Sequence, residues 1–275
     1  MSRTEDPFTR FEREGWERVA DKYDSTWASL TRQFIPLLLD AVGIGHGMSV
    51  LDVACGPGYL AAAARERGAR ASGVDFSTRM VALATEMFPE ISFAQGDAQE
   101  LSAADATFDR VLLNFGLLHL SQPEKACAEA FRVLKPGGKL GFTVWASPAQ
   151  NPSARIVQEA IDAHADQSVE LPPGPPYYLY TRDEECRQIL EEIGFNGGSL
   201  TFATRTVEWT IPTAGYLFEA ERDAGVRTAG LLARQSPERL QAIAQSIAEG
   251  FRSYARDGKF IIPMAAHLVT VAKPG

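Results

Sequence analysis

Apolar and polar positions change rhythm along this chain, and each change marks a different kind of element. Phe8, Phe11, Trp16, Val19, Ala20 and Tyr23 fall near a 3.6-residue period with Glu and Arg between them, which predicts an amphipathic helix. Pro36 lies near the start of a second apolar helical run, and the glycines of "DAVGIGHG" stop it. From Met48 to Trp145 apolar runs alternate with helical patterns. "MSVLDVA" is continuous enough for a buried parallel strand. A helix follows from about Gly58 to Arg67, then the strand "RASGVD". Ser77 is placed to cap a helix that reaches Phe88 and stops before Pro89. "ISFAQGD" and "FDRVLLNFG" read as the third and fourth strands. Ser121 and Glu124 have capping-box spacing at the start of "SQPEKACAEAFRVL", and "KPGG" turns that helix into a fifth strand, "KLGFTVWA". Five strands with helical crossovers predict an α/β fold with a doubly wound parallel sheet.

Beyond Ala146 the rhythm breaks. One helical stretch leads into the proline-rich "LPPGPPYYLY", whose Tyr177, Tyr178 and Tyr180 suit either an aromatic pocket wall or an exposed connection. Thr181 and Glu184 form a second capping-box pattern for a helix ending at Gly194. "SLTFATRTVEWTI" reads as a long strand and "AHLVTVAKP" as the last one. Between them lie mostly helical residues, including a helix with Ser236 as N-cap and Pro237 as its first residue. The chain therefore divides into an N-terminal helical cap (1–45), a core (46–146) and a remainder (147–275) with an insertion around 212–258.

Composition narrows the classes. A 275-residue chain with 45% hydrophobic and 23% charged residues fits an ordinary soluble globular protein. No apolar run approaches the ~20 residues that span a bilayer, and the N-terminus is too charged for a signal peptide, so a cytoplasmic location is expected. The net charge of −8, without a basic cluster, disfavours nucleic acid as a substrate. Cys55, Cys127 and Cys186 are widely spaced, supporting neither a disulfide framework nor a zinc site, and Cys55 reads as a small filler. No metal is expected. Oligomeric state is left open, a homodimer being one arrangement.

The chemistry concentrates in "VLDVACGPGYLAAAA". Gly56, Gly58 and Ala61 satisfy G-x-G-x-x-G/A, with Asp75 about twenty residues on, as a dinucleotide site would. Two features point away from a pyrophosphate. Asp52 would bring a negative charge close to it, and Pro57 removes a backbone donor from the turn. A cationic ligand tolerates both.

The sequence here resembles the class I S-adenosylmethionine (SAM)-dependent methyltransferases, in particular the ubiquinone/menaquinone-type enzymes acting on small molecules. "VLDVACGPG" matches their first motif, Asp75 the acidic end of the second strand, "QGDAQEL" the third motif and "FDRVLLNFGLLHL" the fourth. The strand-turn "LKPGGKLGFTVW" continues the pattern, and "VADKYDSTW" is also familiar from this group. The resemblance implies a Rossmann-like, seven-stranded, mostly parallel sheet whose last strand is antiparallel, with N-terminal helices and a helical lid insertion. It implies SAM as cofactor, S-adenosylhomocysteine as its product, and a small-molecule methyl acceptor. The cofactor contacts it implies are Tyr23, Asp52, Ala54, Gly56, Gly58, Asp75, Phe76, Met80, Asp97, Ala98, Asn114 and Phe115.

In that setting Gly56 and Gly58 let the backbone approach the methionine part, and Asp52 meets its ammonium. Asp75 accepts the ribose hydroxyls, Phe76 and Met80 wall the adenine, and Asp97 with the Ala98 backbone reads its amino edge. Each has a plainer alternative: a turn, a helix lead-in, a core side chain. Methyl transfer is a direct displacement, and a base is needed only when the acceptor must lose a proton. His119, just past the fourth strand, is the best-placed candidate, against packing or capping as its alternative. His46, His164 and His267 read as loop, surface or structural residues. Tyr23 and Trp27, four apart on the N-terminal helices, are expected to share a face. "NFGL" departs from the motif of enzymes that methylate amino groups of DNA bases. A SAM-binding enzyme that only uses the sulfonium charge, such as a cyclase, and a nicotinamide oxidoreductase remain the alternatives.

Overall fold

The computed structural model describes residues 5–275. Asp6 accepts the Thr9 N–H at 2.9 Å and so caps α1 (Pro7–Tyr23), whose missing N–H at Pro7 costs nothing in the first turn. The second run is helical in three pieces: α2 (Ala28–Thr31), a 3-10 turn (Arg32–Phe34) and α3 (Ile35–Val42). Gly43, at φ +66°, ends it as a left-handed cap. Trp27 lies in the link between α1 and α2, so it does not share a continuous helix with Tyr23.

The alternating region follows the expected order. It contains β1 (Ser49–Val53), α4 (Tyr59–Glu66), β2 (Arg70–Asp75), α5 (Thr78–Met87), β3 (Ser92–Gln95), β4 (Phe108–Asn114), α6 (Pro123–Val133) and β5 (Leu134–Trp145). Ser77 caps α5 by accepting the Met80 N–H. Then come α7 (Pro152–His164), α8 (Asp183–Ile193), β6 (Asn196–Ile211), α9 (Tyr216–Ala224), α10 (Arg227–Leu232), α11 (Pro237–Gly250), β7 (Ala255–Arg256) and β8 (Lys259–Ala272). Ser236 caps α11 and Pro237 is its first residue, as expected.

Both proposed capping boxes are corrected. Pro123 starts α6, so Gln122 is the N-cap without a side-chain bond. Ser121 instead donates to Gln99 Oε1 at 3.1 Å and pairs with Thr9 Oγ1 at 2.8 Å. Thr181 donates to the Tyr178 carbonyl at 2.9 Å, and α8 begins two residues later with Arg182 as N-cap.

The strand order is β3-β2-β1-β4-β5-β8-β6, with only β8 antiparallel to its neighbours on this path. This is the expected seven-stranded arrangement, extended by the two-residue β7 paired to β8. One difference is large. The last strand starts at Lys259, well before the expected Ala266. Beyond Trp145, where β5 ends, β6 and β8 continue alone as a two-stranded ribbon from Thr206↔Ala265 to Ile211↔Phe260. Six further pairs at ~3.3 Å each carry the ribbon ~20 Å past the carboxyl edge of β5. Trp209, 1% exposed, anchors it in an apolar cluster with Phe251, Ile243 and Ile247 from the region between β6 and β8. Trp27 stacks on Trp209 with ring centroids 5.4 Å apart, tying the N-terminal helices to the same cluster.

Candidate active site

The strand order reverses at β1, whose neighbours β2 and β4 carry the chain to opposite sides; ligands of open α/β sheets bind outside the carboxyl ends of strands at such a point. Here that position is marked by backbone geometry. Ala54 after β1 and Phe115 after β4 are non-glycine residues with φ of +55° and +61°. Such conformations cost on the order of 1–3 kcal/mol and cluster at functional sites. Gly116 is required beside them, because a Cβ there would come within 2.7 Å of Ala54 Cβ.

A cavity with about 1120 Å3 of empty space, its open mouth included, lies over these ends. Its lining includes Ala54, Gly56, Asp75, Phe76, Met80 and Ala98. Asp75 is 5% exposed at the end of β2. Its Oδ2 accepts the Gly56 N–H at 2.8 Å and its Oδ1 the Ser77 N–H at 2.9 Å. Each oxygen keeps lone-pair capacity for a ligand. Burial pushes Asp75 up to about 6 despite these two bonds.

A smaller cavity adjoins it, sharing Tyr23, Thr31, Ala54, Gly56, Pro57 and Asn114. Asp52 lines only this second space. It is 1% exposed and accepts the Ala61 N–H at 3.0 Å, and burial pushes its carboxyl well above the usual range. A buried carboxyl with one backbone bond is a site that a cation would stabilise. Arg32 lines the same space, its guanidinium 4.2 Å over the Tyr59 ring. Tyr23 hydrogen-bonds Thr31 Oγ1 at 2.9 Å, and burial raises its hydroxyl to about 12.

The large cavity is also lined by the aromatic side chains of Trp16, Trp27, Phe115, Trp145 and Tyr177. Phe115 stacks on Trp145 with centroids 3.9 Å apart. Asn114 accepts from Thr143 Oγ1 at 2.7 Å and donates to the Thr31 carbonyl at 3.2 Å, joining β4 to β5 and to α2. His119, in the 3-10 turn Leu117–His119, lines this cavity too, as do Glu221 and Arg227 from the segment between β6 and β8. Burial pushes Glu221 up to about 7.

Most of the residues singled out from the sequence thus come together on connected cavities, with two exceptions. Gly58 lines neither; a Cβ there would meet Phe93 Cζ at 2.6 Å, so α4 packing, and not ligand approach, demands this glycine. Asp97 is exposed and lines neither, its Oδ1 accepting the Gln99 N–H at 2.8 Å in a local turn. Of the three tyrosines in the proline-rich loop, only Tyr177 reaches the cavity. His267 lies between β6 and β5, with Thr204 Oγ1 3.0 Å from Nδ1.

Comparison with known proteins decides the family. A methyltransferase-domain family model matches residues 51–142. The demethylmenaquinone methyltransferase of Renibacterium salmoninarum is 38% identical over 173 residues, covering 60% of this chain and 72% of that protein. That of Paenarthrobacter aurescens is 32% identical over 173 residues, 60% and 67% of the two chains. The chain belongs to the class I SAM-dependent methyltransferases. The crystal structure of the [4+2]-cyclase SpnF matches over 98% of both chains with a TM-score of 0.59 at 20% identity, a likeness of fold. SAM is therefore the cofactor of this methyltransferase, and a small molecule its acceptor.

The donor set fits that cofactor. Gly56, at φ +51°, would point a Cβ into open space with nothing within 4 Å, as a cradle for a ligand requires. Asp52 offers an anionic partner for an ammonium, Arg32 a cationic one for a carboxylate, and Asp75 two acceptor oxygens for vicinal hydroxyls. Among the described residues no helix is long and apolar enough to cross a membrane.

Arg227, Trp16 and Glu221 on the cavity wall, and Glu12 behind it, are residues that the motifs do not mark. For Glu12 a signal existed: it lies four residues after Phe8 and four before Trp16, on the apolar stripe of α1.

Proposed function

We propose that this methyltransferase methylates a hydroxylated aromatic small molecule, with His119 accepting the hydroxyl proton. The observation that carries this reading is that His119 and Asp75 line one cavity, together with the aromatic side chains of Trp16, Phe115 and Trp145. When bound, SAM supplies an electrophilic methyl group on a sulfonium, passed on by direct in-line displacement.

Asp75, Gly56, Phe76, Met80 and Ala98 hold the nucleoside end, and Asp52, Arg32 and Tyr23 the amino-acid end. Trp16, Phe115 and Trp145 provide flat apolar surface for an aromatic acceptor. His119 presents an imidazole to that space, and proton removal turns a hydroxylated ring into a nucleophile at oxygen or at the ring carbon beside it. The N-terminal helices α1 to α3 and the insertion around 212–258 act as a lid that excludes water. The demethylmenaquinone methyltransferases among the relatives support a quinone-type acceptor in its reduced, hydroxylated form.

The test is incubation with SAM and a reduced 2-alkyl-1,4-naphthoquinol. Equimolar S-adenosylhomocysteine and methylated product are expected, and product NMR distinguishes the carbon from the oxygen. Conversion of the acceptor without S-adenosylhomocysteine would overturn the methyl-transfer reading in favour of a cyclase-like one.

A further inference from the structure

We propose that Glu12 is the positioning residue of His119, and that Arg227 fixes Glu12 in turn. The inference rests on the reading of His119 as the base and adds how its imidazole is set for that task. Three segments distant in sequence meet at this point: α1, the 3-10 turn after β4, and the start of α10.

The Glu12 side chain is 0% exposed, on a helix whose other acidic residues are not buried. Its Oε2 lies 2.9 Å from His119 Nδ1, and its Oε1 accepts from Arg227 Nε at 2.8 Å. An ionised carboxylate can only accept, so Nδ1 must carry a proton. That leaves the Nε2 lone pair free, and among the described residues Nε2 has no hydrogen-bond partner. The ring lines the cavity, so this lone pair is the part of His119 that can take an acceptor proton.

Arg227 completes the set. It also donates to the Leu118 carbonyl and, at 3.3 Å, to that of Pro175, while its guanidinium lies 4.5 Å over the Phe8 ring. A cation held this firmly compensates the buried carboxylate and leaves it one orientation. Trp16, one turn along α1 from Glu12, meets the imidazole edge-on with centroids 4.8 Å apart. Glu12 and Arg227 touch no reacting atom in this scheme; they choose the tautomer and the ring plane. The base is assembled only when α1 and α10 are both docked on the turn between them.

The choice of tautomer gives a test independent of any acceptor. In the S-adenosylhomocysteine complex of 15N-histidine-labelled protein, His119 resonances are assigned by their loss in His119→Gln. Long-range 15N–1H correlation should show neutral His119 as the Nδ1–H tautomer. In Glu12→Gln, Arg227 holds the amide oxygen, so the amide NH2 turns to Nδ1 and the population should switch to Nε2–H. S-adenosylhomocysteine affinity should stay within about twofold, because Glu12 does not line the cavities. Wild-type His119 in the Nε2–H form overturns the proposal even if Glu12→Gln does not fold, and an unchanged tautomer in folded Glu12→Gln also overturns it. With the naphthoquinol, Glu12→Gln should lower kcat at least tenfold, roughly within the range of lost general-base catalysis, at unchanged KM. Failure of the wild-type enzyme to methylate the naphthoquinol overturns the acceptor reading and leaves the tautomer to decide this one.

Discussion

Gly56 donates its backbone N–H to Asp75 Oδ2 at 2.8 Å, so the glycine turn after β1 is held to the acidic end of β2. The two marks most legible in the sequence are thus a single hydrogen-bonded unit. Cofactor affinity should depend on its charge. A carboxylate accepts hydroxyl donors more strongly than a neutral acid does, at ~1.5–3 kcal/mol per bond. Burial holds Asp75 at about 6, so lowering the pH through that value protonates it and should weaken S-adenosylhomocysteine binding. Asp75→Ala should weaken binding by about a hundredfold, corresponding to about 2.7 kcal/mol. Calorimetry between pH 5 and 8 checks both; unchanged affinity in the variant would refute the ribose assignment.

His119→Ala should separate chemistry from binding. Loss of a general base costs about 10²–10⁴ in turnover. S-adenosylhomocysteine affinity should remain within a few-fold. Turnover equal to wild type would reduce His119 to a packing residue.

Gly56 and Gly58 should respond differently to a methyl group. Gly58→Ala drives a Cβ to 2.6 Å from Phe93 Cζ and 3.2 Å from Ala84 Cβ at φ +84°, which should cost about 2–4 kcal/mol of stability by strain and overpacking. At Gly56 the new Cβ meets no protein atom within 4 Å, leaving only the cost of φ +51°, about 1–2 kcal/mol. Its effect should fall on cofactor affinity. Thermal unfolding and calorimetry on the pair read this contrast, and equal losses of affinity with equal losses of stability would contradict it.

Glu221 should make stability fall as pH rises. Its folded value is raised from 4.5 to about 7, so the folded state holds more protons than the unfolded one between those limits. Stability is fully present below about 4.5 and is lost as pH rises through 7. Glu221→Gln removes this dependence and should be more stable than wild type at pH 8 by about 3 kcal/mol, the two converging below about pH 4.5. Denaturant unfolding at both pH values measures the difference.

The cofactor half was legible because its signals are local. A strand, a turn and the next strand's end lie within Val50–Asp75, and the side chains that alternate in sequence are those that point together in space. In the acceptor half His119 and Tyr177 could be named as candidates, but not Glu12 and Arg227 beside them, because the four come from separate segments and become neighbours only on folding. Local patterns also misled where a tertiary partner competed. Ser121 bonds Gln99 and Thr9 instead of capping α6, and Asp97 turns to Gln99 instead of the cavity. The last strand was read only from Ala266; Pro263 lies inside β8 where it has left β5, so its missing N–H removes no bond to that strand.

The ribbon of β6 and β8 beyond Trp145 separates inheritance into two parts. The chain leaves it at Ile211 and returns to it by way of β7 and Phe260, a register pair, so whatever lies between begins and ends at one place. Segments of different length or sequence can be hung there while the pairing of β5 with β8 stays as it is. Glu221 and Arg227, the part of the cavity wall that this stretch supplies, can then change with one contiguous piece of chain, while Asp75 and Gly56 stay as they are.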